Sequence, residues 1–249
     1  MEANIQIPTK LNEISLGDYQ RFIEVSEKSN DDNFVFEKMI EIFCKIKLME
    51  VIQIKWSDIQ YIAGRITEAF QEKPKFIPRF KIQNIEFGFI PSLEDMSFGE
   101  FIDLQNNMEK IEDFHKAMAV LYRPITEKRK DKYEIEKYVS AANYSEVMKY
   151  APVDVALAAK VFFCDLQKEL LSSTIIYLKN LMMKKDSETF RKEFSLQNNG
   201  VGIVQFMESQ QEIYRNLESL QNCPYMIALP SSLLKSKKEI SKIMRCSDN

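Results

Sequence analysis

A nine-residue phrase occurs twice in the first half of the chain, and it limits the fold more than any other feature. Residues 11–19 read Leu-Asn-Glu-Ile-Ser-Leu-Gly-Asp-Tyr, and residues 93–101 read Leu-Glu-Asp-Met-Ser-Phe-Gly-Glu-Phe. Three positions are identical, and Ile-Pro precedes each copy, at Ile7-Pro8 and Ile90-Pro91. Self-similarity at a distance is the mark of one structural unit used twice. Each phrase also carries a helix-start signal. Ser15 and Ser97 are N-cap residues, and Asp18 and Glu100 stand three positions later as the second half of a capping box. The serine oxygen accepts from an orphan N–H of the first turn, while the carboxylate reaches back and complements the positive helix end.

The likeness resumes after a gap. Residues 36–43 and residues 114–121 both place apolar side chains at helical spacing, with Phe36, Met39, Ile40 and Phe43 in the first and Phe114, Ala117, Met118 and Leu121 in the second. Each copy is therefore expected to form an extended lead, a capped helix, a polar loop and a second amphipathic helix, so that residues 7–46 and 90–123 superpose. Pro124 is expected to end the last of these helices near Tyr122 or Arg123. Ser57 reads as a further cap, with Gln60 three residues on and Trp56 as a staple before it.

From residue 79 the pattern changes to alternation, which reads as a β-hairpin over about residues 79–90. Residues 132–139 alternate as well and are compatible with one more strand. One long helix is expected from Pro152 to about Lys185, apolar nearly all round over residues 155–164, and another over residues 203–220. With 6 glycines and 8 prolines in 249 residues, helices joined by short polar loops are the natural outcome. The expected fold class is mainly α, a multi-helix protein with a small β-hairpin and a duplicated N-terminal half. The expected division is a first helical unit over 1–78, the hairpin and second helical unit over 79–142, and a long-helix region over 143–249.

Charge and cysteine usage narrow the function classes. The net charge of −3 with interspersed acids and bases gives no basic face, so nucleic acid is an improbable partner. The local exception is Lys128, Arg129, Lys130 and Lys132, read first as a solvated loop and second as a phosphate contact. Cys44, Cys164, Cys223 and Cys246 are too far apart for a CxxC pair, and Cys44 and Cys164 read as small buried hydrophobes. A reducing compartment is the default. No opening signal segment and no membrane span are expected, because the most apolar run is short and broken by Lys160.

Signals for chemistry are sparse. The one histidine, His115, reads as a surface or helix-cap residue rather than a catalyst. No spacing for a metal site, phosphate cradle or nucleophile elbow occurs. No cofactor, no metal and no catalytic residue is assigned, and an enzyme is not expected. The single tryptophan and the 17 phenylalanines read as core. Two features point instead to binding. Arg123, in Leu121-Tyr122-Arg123-Pro124-Ile125, reads first as a cation at a helix C-terminus and second as a partner contact. Tyr225, Met226, Ile227 and Leu229 lie in an apolar run between Pro224 and Pro230, which is hard to place as a helix and suits docking on a neighbour. The lysine-rich end from Ser231 reads as a short helix or a tail ordered by a partner.

Four phrases in order carry a resemblance: residues 7–19, residues 89–104, residues 119–125 and residues 151–163. Together they resemble a virion-associated structural or cargo protein of crAss-like bacteriophages of Bacteroides. The resemblance spans about residues 7–185 and implies protein–protein binding near the portal or tail, as a vertex component or packaged cargo. It implies portal, tail or ring proteins as partners, with a homo-oligomer also compatible, and location in the virion after synthesis in the host bacterial cytoplasm. The alternative is a phage tail assembly chaperone that leaves before the particle matures.

Overall fold

The computed structural model describes residues 5–29, 31–71, 74–93, 95–108, 110–130 and 132–183. The order of elements is α1 (Leu16–Lys28), α2 (Asp32–Phe43), α3 (Leu48–Val51), α4 (Trp56–Ala69), β1 (Arg79–Ile82), β2 (Ile85–Phe89), α5 (Phe98–Met108), α6 (Phe114–Leu121), β3 (Tyr122–Arg129), β4 (Lys132–Ile135), α7 (Ser145–Met148) and α8 (Val153–Met183). The chain divides into two compact units within α8: one reaches Ala159, and the other begins at Lys160. The helix expected over 203–220, together with Cys223, Tyr225, Met226, Ile227, Leu229 and Cys246, lies outside the described residues, as does the side chain of Cys164.

The expectation of a mainly α fold with a small hairpin is corrected by a four-stranded antiparallel sheet in the order β1-β2-β3-β4. The fold is mixed α/β. The expected hairpin is its first half, with Ile82 opposite Ile85 and Gln83 in the left-handed region at φ 52°. The unexpected strand is β3. Pro124 ends α6 as a helix breaker should, but the chain turns straight into a strand rather than a loop. The basic run, taken for a solvated loop, is the tip of the β3–β4 hairpin, with Arg129 opposite Lys132 and Lys130 at φ 55°. Cross-strand ion pairing hides the strand in polar sequence, since Lys128 binds Glu86 of β2.

Proline in a central strand normally leaves a ladder bond unmade. Here β3 is shared in two halves. Tyr122, Arg123 and Pro124 pair with β2, and Ile125 through Arg129 pair with β4 across an irregularity at Ile125/Glu127. Pro124 thus stands at the join, and its carbonyl accepts from the Glu136 N–H at 2.9 Å.

Within the first unit, α1, α2 and α4 share an aromatic cluster. Phe22 and Phe43 lie 5.0 Å apart, and Phe70, just after α4, lies 5.8 Å from both Phe43 and Tyr19. The sheet has a cluster of its own, in which Tyr122 meets Phe80 at 5.1 Å and Phe89 at 5.2 Å edge to face, a favourable ring geometry. The first turns of α8 are buried all round at Val153, Val155, Ala156, Leu157, Ala158 and Ala159. Burial also pushes the Cys44 thiol up to about 11, which keeps it unreactive.

α4 starts earlier than its sequence signal. Its cap is Lys55, not Ser57, and Trp56 is the first helical residue, 57% exposed rather than stapled. The Lys55 carbonyl takes the N–H groups of both Asp58 and Ile59, which leaves the Ser57 hydroxyl free to bond the neighbouring Asp58 carboxylate. His115, expected at the surface, is buried. Gln20 of α1 holds it: the Gln20 amide nitrogen donates to the carbonyls of Ile111 and Glu112 at 2.6 and 3.0 Å and lies 3.1 Å from His115 Nδ1. Burial, helped by Lys149 and Lys116, holds the imidazole below its ordinary value of 6.5.

Two outcomes follow from these contacts. Between the ordinary histidine value and the lowered folded one, the unfolded chain binds more protons than the folded one. Stability is therefore complete above about pH 6.5 and declines as the pH falls below it. Urea titrations at a series of pH values should show this decline in the native chain and a weaker one in His115→Asn. The two glycines of the repeated phrase should also respond oppositely to alanine. A Cβ at Gly17 would meet Lys149 Cβ at 3.1 Å and its carbonyl oxygen at 3.2 Å, whereas Gly99 has open space. Gly99→Ala should raise stability by roughly 0.5 kcal/mol through helix propensity. Gly17→Ala should lower it, because the Gly17 N–H donates to that same Lys149 carbonyl at 2.8 Å. Thermal melts of both variants check the pair.

Candidate interaction surface

The repeated phrase makes both expected caps but puts them to different use. In the first copy the Asp18 N–H donates to Ser15 Oγ at 3.1 Å, and the Ser15 hydroxyl donates to the Asp18 carboxylate at 2.7 Å. Aspartate is one methylene short of reaching back to the cap N–H. In the second copy the box is complete: the Glu100 N–H donates to Ser97 Oγ at 3.3 Å, and the Ser97 N–H donates to Glu100 Oε2 at 2.7 Å. Glu100 then uses its other oxygen, Oε1, to meet Arg123 at 2.7 Å.

This pair is buried on both sides, with 8% of the Arg123 side chain and 7% of the Glu100 side chain exposed. Arg123 belongs to β3, opposite Gly88 of β2, so the ion pair joins α5 to the sheet. Tyr138 completes the cluster. Its ring lies 5.6 Å from the Arg123 guanidinium, and its hydroxyl donates to the Asp103 carboxylate of α5. Burial and that neighbouring carboxylate push the Tyr138 hydroxyl well above the ordinary tyrosine value, so it stays a donor. Among the described residues, Arg123 Nε is a buried nitrogen with no hydrogen-bond partner.

Arg123 was expected at a helix C-terminus or against a partner. It is instead in a strand and buried against Glu100, and its charge is committed inside the chain. What its position determines is the rotation of α5. At 100° per residue, Glu100 and Leu104 fall on one side of the helix, and Phe98, Phe101, Ile102 and Gln105 on the other. Glu100 and Leu104 are buried, while Phe98 is 79% and Phe101 51% exposed. The first copy does the reverse: Leu16, Tyr19, Phe22 and Ile23 of α1 are all buried. The phenylalanines and tryptophan expected as core thus divide, with Trp56, Phe98 and Phe101 outside it. Met49, Ile52, Trp56 and Tyr61 are exposed as well, on and between α3 and α4.

Alternation and helical periodicity cannot reveal this surface, because the phrase at residues 93–101 looks as core-directed as its first copy. The signal that distinguishes them is the longer acid, Glu100 in place of Asp18. Among the described residues no group of three or more His, Cys, Asp or Glu is placed to hold a metal, and no helix is long and apolar enough to cross a membrane. Comparison with protein-family models, with curated proteins and with solved structures finds no match for this chain.

The ion pair makes a sharp expectation. Arg123→Met leaves a buried carboxylate uncompensated and should lower stability by roughly 3–5 kcal/mol. Replacing both partners, as Glu100→Met with Arg123→Met, removes both charges at once and should recover most of that loss. Denaturant unfolding of the native, single and double variants gives the coupling directly; a single variant within about 1 kcal/mol of the native chain would mean that α5 is anchored by something else.

Proposed function

We propose that the chain is a protein-binding component of a bacteriophage particle, at the portal or tail vertex or as packaged cargo, and that it acts by contact rather than by turnover. The observation that carries the binding half is the outward face of α5. Large apolar side chains stand in water on a helix whose rotation is held by a buried ion pair. Isolated surface hydrophobes are ordinary, but aromatic residues grouped on one rigid element are what interfaces use as anchors. The phage half rests on the four phrases that resemble the crAss-like virion protein.

Rigid anchors suit assembly because little entropy is lost on docking when the contact residues are already ordered. Ser97 and Glu100 cap α5, and Arg123 and Tyr138 hold it against the sheet, so the face is pre-formed. Exposed Met49 beside Ile52 and Trp56 offers a second, softer contact region.

Mass spectrometry of purified phage particles is the direct test. Peptides from along the chain should appear in a constant ratio to the portal protein. Their absence from mature particles, with presence in infected-cell extracts bound to tail proteins, would replace this reading by that of an assembly chaperone.

A further inference from the structure

We infer that the outer face of the sheet, together with the tip of the β3–β4 hairpin, binds the phosphate backbone of duplex nucleic acid without regard to sequence. This goes beyond the protein-contact reading and does not rest on it, since it concerns a different surface.

The net charge of −3 conceals an uneven distribution. The two segments that build the sheet, residues 74–89 and 122–139, hold nine lysines and arginines against five acids, while the rest of the chain holds 25 against 32. Pairing of β2 with β3 brings the two segments together. Across the strands the cations then form a row. Lys81 of β1 stands opposite Glu86 of β2, and Lys128 of β3 reaches the same carboxylate. Arg79, exposed like Lys81, lies over the Tyr133 ring of β4. Glu86 is thus one acid among three cations. Its carboxyl is held below the ordinary value chiefly by Lys128, with Lys81 and Arg79 adding to the effect. Arg129, Lys130 and Lys132 continue the row at the hairpin tip. Internal pairing takes up Lys128 with Glu86 and Arg129 with Glu127. Arg79, Lys81, Lys130 and Lys132 are exposed and form no ion pair among the described residues.

The arrangement selects the partner. A lysine on an edge strand guards that edge against aggregation, but this row crosses the inner strands and runs onto a hairpin. A protein interface places apolar anchors at its centre and is poor in lysine. Here the ring on this face, Tyr133, lies against Gly88 with Arg79 over it. A membrane-binding tip needs apolar residues to insert, and residues 126–132 have none. Cations set in a line without an apolar anchor suit a partner that is itself a line of anions. A two-stranded ribbon with a basic tip is also an element that the major groove of a duplex admits.

The test is fluorescence anisotropy of a labelled random-sequence DNA duplex titrated with the full-length protein over a series of salt concentrations. Binding is expected at about 10⁻⁶–10⁻⁴ M near physiological salt, with log K falling against log salt at a slope of about −4 for four unpaired cations. Lys81→Glu with Lys132→Glu should weaken binding about tenfold or more and make that slope shallower by about 2. Lys10→Glu with Lys55→Glu makes the same change in net charge on exposed lysines that belong to no strand, and should alter binding by no more than about twofold. All four side chains are exposed, so melting temperatures should stay as they are. Absence of binding even at low salt, equal binding by the sheet variant, or an equal loss in the control variant would overturn the inference. So would tighter binding of an acidic peptide of matched charge, which would make an acidic protein the partner of this face.

Discussion

The contact between Glu100 and Arg123 sets the arrangement of the second half of the first unit. A buried carboxylate and guanidinium tolerate little displacement, because removing either from the other leaves a charge without water or counter-charge. Glu100 is bound at both oxygens, one to the helix cap and one to Arg123. Arg123 is bound in turn through its backbone to β2, opposite Gly88. The start of α5, the end of α6 and the middle of the sheet therefore share one electrostatic centre. Tyr138 extends it to the segment after β4 through Asp103.

Two copies of one local signal consequently end in opposite environments. α1 is governed by apolar burial: Leu16 and Phe22 are fully buried, and its first N–H groups, from Leu16 and Gly17, donate to the carbonyls of Ala151 and Lys149. α5 is governed by its acids. Burying the Phe98 and Phe101 face would gain apolar transfer energy, about 1.5–3 kcal/mol per large side chain. Tearing Glu100 from Arg123 would lose at least as much. The balance leaves a ridge of aromatic residues in water, and an exposed ridge on a fixed helix is what a binding partner can use without ordering it first.

The sheet shows the same interplay of local and distant constraint. Gly88 lies under the Tyr133 ring, and a Cβ there would come within 2.5 Å of Tyr133 Cε2. The ring spans from β4 to β2, where the Tyr133 hydroxyl donates to the Phe89 carbonyl at 2.8 Å, and Arg79 of β1 lies over it at 5.8 Å. A glycine in a strand interior is a weak point by itself; here the missing side chain is the space that lets an aromatic residue tie outer strands together, as in aromatic rescue.

By itself the sequence determined the elements that local physics controls. The capped starts at Ser15 and Ser97, the first hairpin and the long apolar helix after Pro152 were all legible, because a serine oxygen, a strict alternation or a helical stripe acts within a few residues. The tertiary structure alone decided the rest. It drew residues 122–129 into a strand although Pro124 and a basic run argue for a break and a loop, because β2 and β4 each pair with half of it and Glu86 answers Lys128. It buried His115, through Gln20 from a helix 95 residues away in sequence. And it turned α5 outward. Within residues 93–108 the longer acid Glu100 sets this copy apart from the first, but it does not state which face of the helix meets the protein, since Arg123, whose burial with Glu100 settles the matter, is brought to it only by the fold.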